Sequence, residues 1–185
     1  MATTFLTRFL KARPATDAGR ALFAAAHLQA RTPDLYARLG APDTVDGRFE
    51  MLLMHVVLVI ARLRAGPLRA SDQAAETRQA LFDAFVANLD DGLREMGVGD
   101  LSMGKKMRKL GEAIYGRAKA YDPALAARPD LAPLASLIGR TVFGDEADGR
   151  GAPLAAYADR VVRALEGQAD ADLLGGRVAF PAGAA

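Results

Sequence analysis

The chain has 185 residues, 51% of them apolar but only 6% aromatic, and the charged side chains nearly balance, 24 Lys and Arg against 22 Asp and Glu. The absence of cysteine excludes disulfides, thiol nucleophiles and thiolate metal sites, and two histidines, His27 and His55, are too few for a His-rich metal centre. A net charge of +2 argues against a general nucleic-acid binder and gives no reason to expect DNA as a partner, so any electrostatic function has to come from local clustering.

Residues 1–13, MATTFLTRFLKAR, contain no acid and carry Arg8, Lys11 and Arg13 beside a short apolar stripe of Phe5, Leu6, Phe9 and Leu10. They read as a basic amphipathic extension, and their apolar residues are too broken for a signal-peptide core. Residues 14–185 read as one all-helical domain. A first helix is expected over Thr16 to Gln29. Thr32-Pro33 then starts a short helix stopped at Gly40. Asp43 or Thr44 opens the most apolar segment, in which Phe49, Leu52, Leu53, Val56, Val57, Ile60 and Leu63 keep a 3.6-residue period up to Gly66. Its apolar run, Met51 to Ala61, is well short of the roughly 20 residues a spanning helix needs, which predicts a buried core helix.

Ser71-Asp72 caps the next helix, with Leu81, Phe82, Phe85, Val86, Leu89 and Leu93 inward. Another is expected from Ser102 to Tyr121, ended by Asp122-Pro123. DLAPLASLIGRTVF forms a further helix, GDEADGRGAP a loop, and PLAAYADRVVRALEG the last long helix, before an irregular tail that drapes over the bundle. The expected fold is all-α, a single compact bundle of about seven helices with short connections.

Several stretches invite a chemical reading. Gly99, Gly104 and Lys105 in GDLSMGKK satisfy most of a P-loop signature, but Lys106 stands where the magnesium-binding hydroxyl belongs and no strand precedes. The segment reads instead as a corner between helices. Asp90, Asp91 and Glu95, with Asp100 nearby and Asp145, Glu146 and Asp148 later, offer an alternative: an isoprenoid-handling enzyme or prenyl-lipid binder holding magnesium and diphosphate on an Asp-rich helix. The plainer reading pairs Asp90 with Arg94 one turn on. His55 reads as a core histidine bonded to backbone, and His27 has no partner for a dyad.

The helix beyond the corner carries Lys105, Lys106, Arg108, Lys109, Arg117 and Lys119 against Glu112 alone. Met103, Met107, Leu110, Ile114, Ala118 and Tyr121 share its apolar stripe. Lys105, Arg108, Lys109 and Lys119 lie opposite, with Lys106 and Arg117 flanking. Glycines at 104, 111 and 116 cost about 1 kcal/mol each relative to Ala. Gly104, Gly111 and Ala118 recur along one edge, which predicts close packing or a bound partner.

The stretch FDAFVANLDDGLREMGVGDLSMGKKMRKLGEAIYGRAKAYD, residues 82–122, resembles the signature of the ubiquinol–cytochrome c chaperone family, and YARLGAPDTVDGRFEMLLMHVVLVIARLR, residues 36–64, resembles its N-terminal block. The resemblance implies an all-helical assembly factor for the cytochrome bc1 complex, with no catalytic residues, metal or cofactor. Mitochondrial members sit near the ribosomal tunnel exit, hold newly made cytochrome b and work with a second small assembly factor. A bacterial member would act in the cytoplasm or at the cytoplasmic face of the inner membrane. On this reading the partner surface comprises Arg94, Glu95, Met96, Gly97, Val98, Gly99 and Asp100 at the corner, then Lys105, Lys106, Arg108, Lys109 and Arg117. The basic residues would meet ribosomal RNA or anionic lipid through phosphate charge. Met51, Met54, Met103 and Met107 are adaptable side chains that could line an apolar client groove.

Overall fold

The computed structural model describes residues 14–181. Among them are eight α-helices: α1 (Pro14–Gln29), α2 (Pro33–Ala37), α3 (Val45–Leu63), α4 (Asp72–Glu95), α5 (Asp100–Ala126), α6 (Ala132–Ile138), α7 (Gly151–Glu166) and α8 (Asp170–Leu174). A 3₁₀ turn (Gly66–Ala70) joins α3 to α4, and a π-turn (Gly139–Phe143) extends α6. The all-α bundle expected from periodicity is what forms. The basic extension at residues 1–13 lies outside the described residues.

The bundle is organised around α3. Met51, Leu52, Leu53, Met54, His55, Val56, Val57, Leu58 and Val59 are all buried in succession, so this helix is covered on every side. A helix apolar all round has to be covered on all sides, and α1, α4, α5 and α7 contribute to the same continuous core through Leu22, Phe85, Tyr121 and Tyr157. Thr44 caps it by accepting from the Gly47 amide at 3.1 Å, and Ser71 caps α4 by accepting from the Ala74 amide at 3.2 Å. Thr32, at the corresponding position before α2, makes no such bond, and Pro33 at the start of that helix needs none.

His55 is the polar interruption of this core, and its hydrogen bonds are complete. Nδ1 lies 2.7 Å from the Met51 carbonyl, which can only accept, so Nδ1 carries the proton. Nε2 then accepts from the Tyr157 hydroxyl at 2.7 Å, and that hydroxyl accepts from the Gln29 amide at 2.9 Å. Burial lowers the His55 pKa to about 4 and raises that of Tyr157 to about 12, so both are neutral. The network ties α1, α3 and α7 together and matches the core reading of this histidine.

Helix α1 lies against α4 at Gly19. A Cβ there would stand 2.6 Å from both the Leu81 amide nitrogen and the Ala80 Cβ, so the two backbones meet without room for a methyl group. The tail, irregular by its sequence, contains the short helix α8. Beyond it Val178 and Phe180 pack on the core, and the Phe180 ring meets His55 edge-on at 5.6 Å. Helix α5 begins at Asp100 rather than Ser102 and continues through Pro123 to Ala126. The proline forfeits one helical hydrogen bond, but Tyr121 and Ala124 are both buried, and their packing carries the helix across it.

The glycines separate into two kinds. A Cβ added at Gly104, Gly111 or Gly116 would meet nothing within 4 Å, so the close backbone approach expected along α5 does not occur among the described residues. Gly19→Ala should therefore destabilise by about 1–3 kcal/mol through overpacking. Gly111→Ala, on an open face, should stabilise by up to about 1 kcal/mol through helix propensity. Thermal melting of the two variants checks both signs.

Candidate functional site

The corner between α4 and α5 is a Schellman end followed at once by a new helix start. The Val98 amide donates to the Leu93 carbonyl at 3.0 Å and the Gly97 amide to that of Arg94 at 2.9 Å, with Gly97 at φ 80°. Gly99 then occupies the N-cap of α5, and its carbonyl accepts from the amides of Ser102 and Met103. Of GDLSMGKK only Gly99 belongs to this corner, while Asp100 to Lys106 form the first turns of α5.

Beyond the corner, Lys105, Lys106, Arg108 and Lys109 are exposed, and none forms an ion pair among the described residues. Tyr115, 73% exposed, lies on the same face as Arg108, two turns further along. At the corner itself Glu95, Met96, Gly97 and Gly99 are exposed, Val98 is half-buried, and Arg94 binds Asp90 at 2.8 Å. Among the described residues, the core cluster takes up α5 from Leu110 onward, and Lys105, Lys106, Arg108 and Lys109 precede that point.

The methionines divide. Met51 and Met54 are fully buried in the centre of α3, and Met103 is also buried, so none of the three lines an open groove. The adaptable chemistry of methionine suggested them, but Met51 and Met54 belong to the core cluster. Met107 is half-buried, and Met96 is the one of the six methionines that is a large exposed apolar residue among the described residues.

The structure opens a different groove, of about 620 Å³, between the C-terminal ends of α1 and α4, the start of α3 and the middle of α5. Phe49 and Leu52 from α3, Leu89, Leu93 and Met96 from α4, and Leu110 from α5 give it apolar walls. Two residues expected at a partner surface, Met96 and Arg117, meet here, whereas the lysines of α5 do not line it. Sequence reasoning missed Phe49, Leu89 and Leu93 as groove residues because their helical spacing looks like ordinary core packing. Phe49 and Leu89 do pack against the core as well, so their spacing carried no signal of a groove.

Arg117 closes this groove from below rather than facing a partner freely. Its Nε lies 2.5 Å from Oε1 of Glu50, whose side chain is 6% exposed. Burial pushes the Glu50 carboxyl up to about 7, Arg117 opposes that rise, and Asp46 adds to it. The same carboxylate helps burial to raise the nearby Tyr121 hydroxyl. A buried carboxylate needs its cation, so Arg117 is held in place by Glu50.

Several of the acidic residues are engaged locally. Asp148 is held by Arg150 at 2.6 Å, Glu146 accepts from Ser136 at 2.9 Å, and Asp145 caps the Ala147 amide at 2.9 Å. With Asp90 engaged by Arg94, these carboxylates of the prenyl-diphosphate alternative serve local partners. Among the described residues no group of three or more His, Cys, Asp or Glu side chains is placed to hold a metal ion, and no helix is long and apolar enough to cross a membrane.

The scaffold is all-helical, with an apolar groove and a dense basic face on the first half of α5. Residues 37–180 match the profile of the ubiquinol-cytochrome C chaperone family, and the chain belongs to that family. It is also similar to the crystal structure of the Cbp3 homolog from Brucella abortus, with 30% identity and a TM-score of 0.81 over 95% of this chain and 96% of that one. No curated protein sequence matches.

Glu50 gives the groove a pH signature. Its folded pKa lies above the ordinary 4.5, so the folded state holds the proton more tightly and stability falls as pH rises from about 4.5 to 7. His55 acts oppositely: its folded pKa lies below the ordinary 6.5, so its contribution grows as pH rises from about 4 to 6.5. The two nearly offset one another in the unaltered protein. Subtracting the melting curve of Glu50→Gln isolates the glutamate. The stability of the unaltered protein relative to that variant should fall by up to about 3 kcal/mol between about pH 5 and 7.5. A pH-independent difference would show that Glu50 titrates normally.

Proposed function

We propose that this chain is a non-enzymatic assembly chaperone that holds newly made cytochrome b while the ubiquinol–cytochrome c reductase complex is built. Family membership supports the assembly role, and the observation that carries the client-binding reading is the apolar groove beneath Met96 and Leu93, adjoining the corner at Gly97 to Gly99. A membrane polypeptide awaiting insertion exposes apolar helical surface. A groove of this kind can cover part of it while a polar rim keeps the complex in water. Holding and release need no covalent step, and no nucleophile or acid–base pair is assigned to the groove.

The basic half of α5 supplies the second contact. Lys105, Lys106, Arg108 and Lys109 present a dense positive face with no acidic partner among the described residues, suited to the phosphates of ribosomal RNA where the client emerges or to an anionic membrane surface. On this reading the protein works in the cytoplasm, at the cytoplasmic face of the inner membrane when engaged. A second small assembly factor completes the scheme by analogy with mitochondrial members, and the exposed Tyr115 face of α5 is open to it.

Replacing Lys105, Lys106 and Lys109 by Glu in a strain otherwise lacking the protein tests this reading. Because all three are exposed, folding stability should change by no more than about 0.5 kcal/mol per site. Ubiquinol–cytochrome c reductase activity and the level of assembled cytochrome b should nevertheless drop toward those of the deletion strain. Full activity in the deletion strain itself would refute the assembly role. Full activity in the charge-reversed strain alone would confine the function to the groove.

A further inference from the structure

A second cavity lies on another part of the molecule, away from the groove, and the chaperone reading does not use it. It encloses about 600 Å³ where the C-terminal end of α3 and the 3₁₀ turn meet α4, the end of α5 and α7. Arginines from four separate segments line it: Arg62 and Arg64 from the end of α3, Arg69 from the 3₁₀ turn, Arg78 from α4, and Arg128 beyond α5. Leu58, Leu125, Val162 and Leu165 give the same cavity an apolar part.

Part of this charge is committed to holding the fold. Arg62 donates to the carbonyls of Leu165 and Gln168 and to Asp170, and Arg128 binds Asp159 at 2.7 Å and Glu166 at 2.9 Å. These arginines close helix ends and are saturated. The others are not. Arg64 approaches Asp122 only at 3.6 Å, with both side chains about half exposed. Arg78 spends one nitrogen on the Leu63 carbonyl at 3.0 Å and meets no carboxylate among the described residues. Arg69 has neither a hydrogen bond nor an ion pair among the described residues.

Two carboxylates, Asp122 and Glu166, line the same cavity, so the five arginines outnumber them and leave an excess of positive charge. Planar guanidinium donors fit phosphate oxygens two at a time. The adjoining leucines and valine would be wasted on a bare ion. We infer that this cavity is a binding site for a phosphate-bearing amphiphile, its phosphate gripped by Arg69, Arg78 and Arg64 and its apolar portion laid against Leu58, Leu125 and Val162.

Soluble short-chain lipids test this without a membrane surface. Dihexanoyl phosphatidic acid should bind the full chain by calorimetry in low salt, inorganic phosphate at least about tenfold more weakly, and dihexanoyl phosphatidylcholine, whose headgroup carries no net charge, more weakly still. Arg69→Gln, at an exposed residue with no partner to lose among the described residues, should weaken the phosphatidic acid at least about fivefold with its melting temperature unchanged. Arg78→Gln should weaken it further. Arg20→Gln, at an exposed residue of α1 outside the cavity lining, should leave the affinity as it was. Equal affinity for inorganic phosphate would overturn the amphiphile assignment. An Arg69→Gln protein that binds normally, or an equal loss in the Arg20→Gln protein, would overturn the site.

Discussion

The structure depends on burying one helix completely. From Met51 to Val59 every residue of α3 is removed from water, and the rest of the chain is arranged to make that possible. Each apolar side chain so buried contributes on the order of 1.5–3 kcal/mol, but only if the single polar group among them is satisfied. His55 meets that condition through the Met51 carbonyl and the Tyr157 hydroxyl, and Gln29 completes the chain. The network fixes the relative placement of α1, α3 and α7, and the tail closes over it with Phe180.

Covering α3 in this way leaves two places uncovered. At its N-terminal end, the C-terminal ends of α1 and α4, the start of α3 and the middle of α5 leave the apolar groove between them. Glu50 and Arg117 sit at that boundary, and the ion pair replaces apolar contact with a buried charge that needs both partners. At the C-terminal end, arginines close the helix carbonyls, and more of them are present than closure uses. Both features arise from one constraint, the finite length of the helices available to wrap a central one.

Much of this was legible in the sequence. The all-α class, the core placement of α3, the caps at Thr44 and Ser71, the Asp90–Arg94 pair and the corner at Gly97–Gly99 all follow from local rules, and the structure carries them out. The groove was not legible. Leu89, Leu93 and Leu110 have the same spacing as core residues, and only the folded arrangement leaves them half-buried along a cavity. Met51 and Met54 misled for the converse reason, since an adaptable side chain reads the same in a sequence whether it is covered or exposed. Glycines along α5 suggested close packing, yet their face is open, because a sequence records the cost of a glycine without recording what lies opposite. The arginine cavity assembles residues from positions 62 to 128, a separation that no motif spans.

The central claim is that the groove between α3, α4 and α5 holds a client. It is tested most directly by placing a photo-crosslinking amino acid at Leu93 in cells that are synthesising the bc1 complex, with the same probe at the exposed residue Glu76 as a control. The account predicts that the Leu93 probe captures newly made cytochrome b and that the Glu76 probe does not. Failure of the Leu93 probe to capture cytochrome b while the complex assembles normally, or equal capture from both positions, would contradict it.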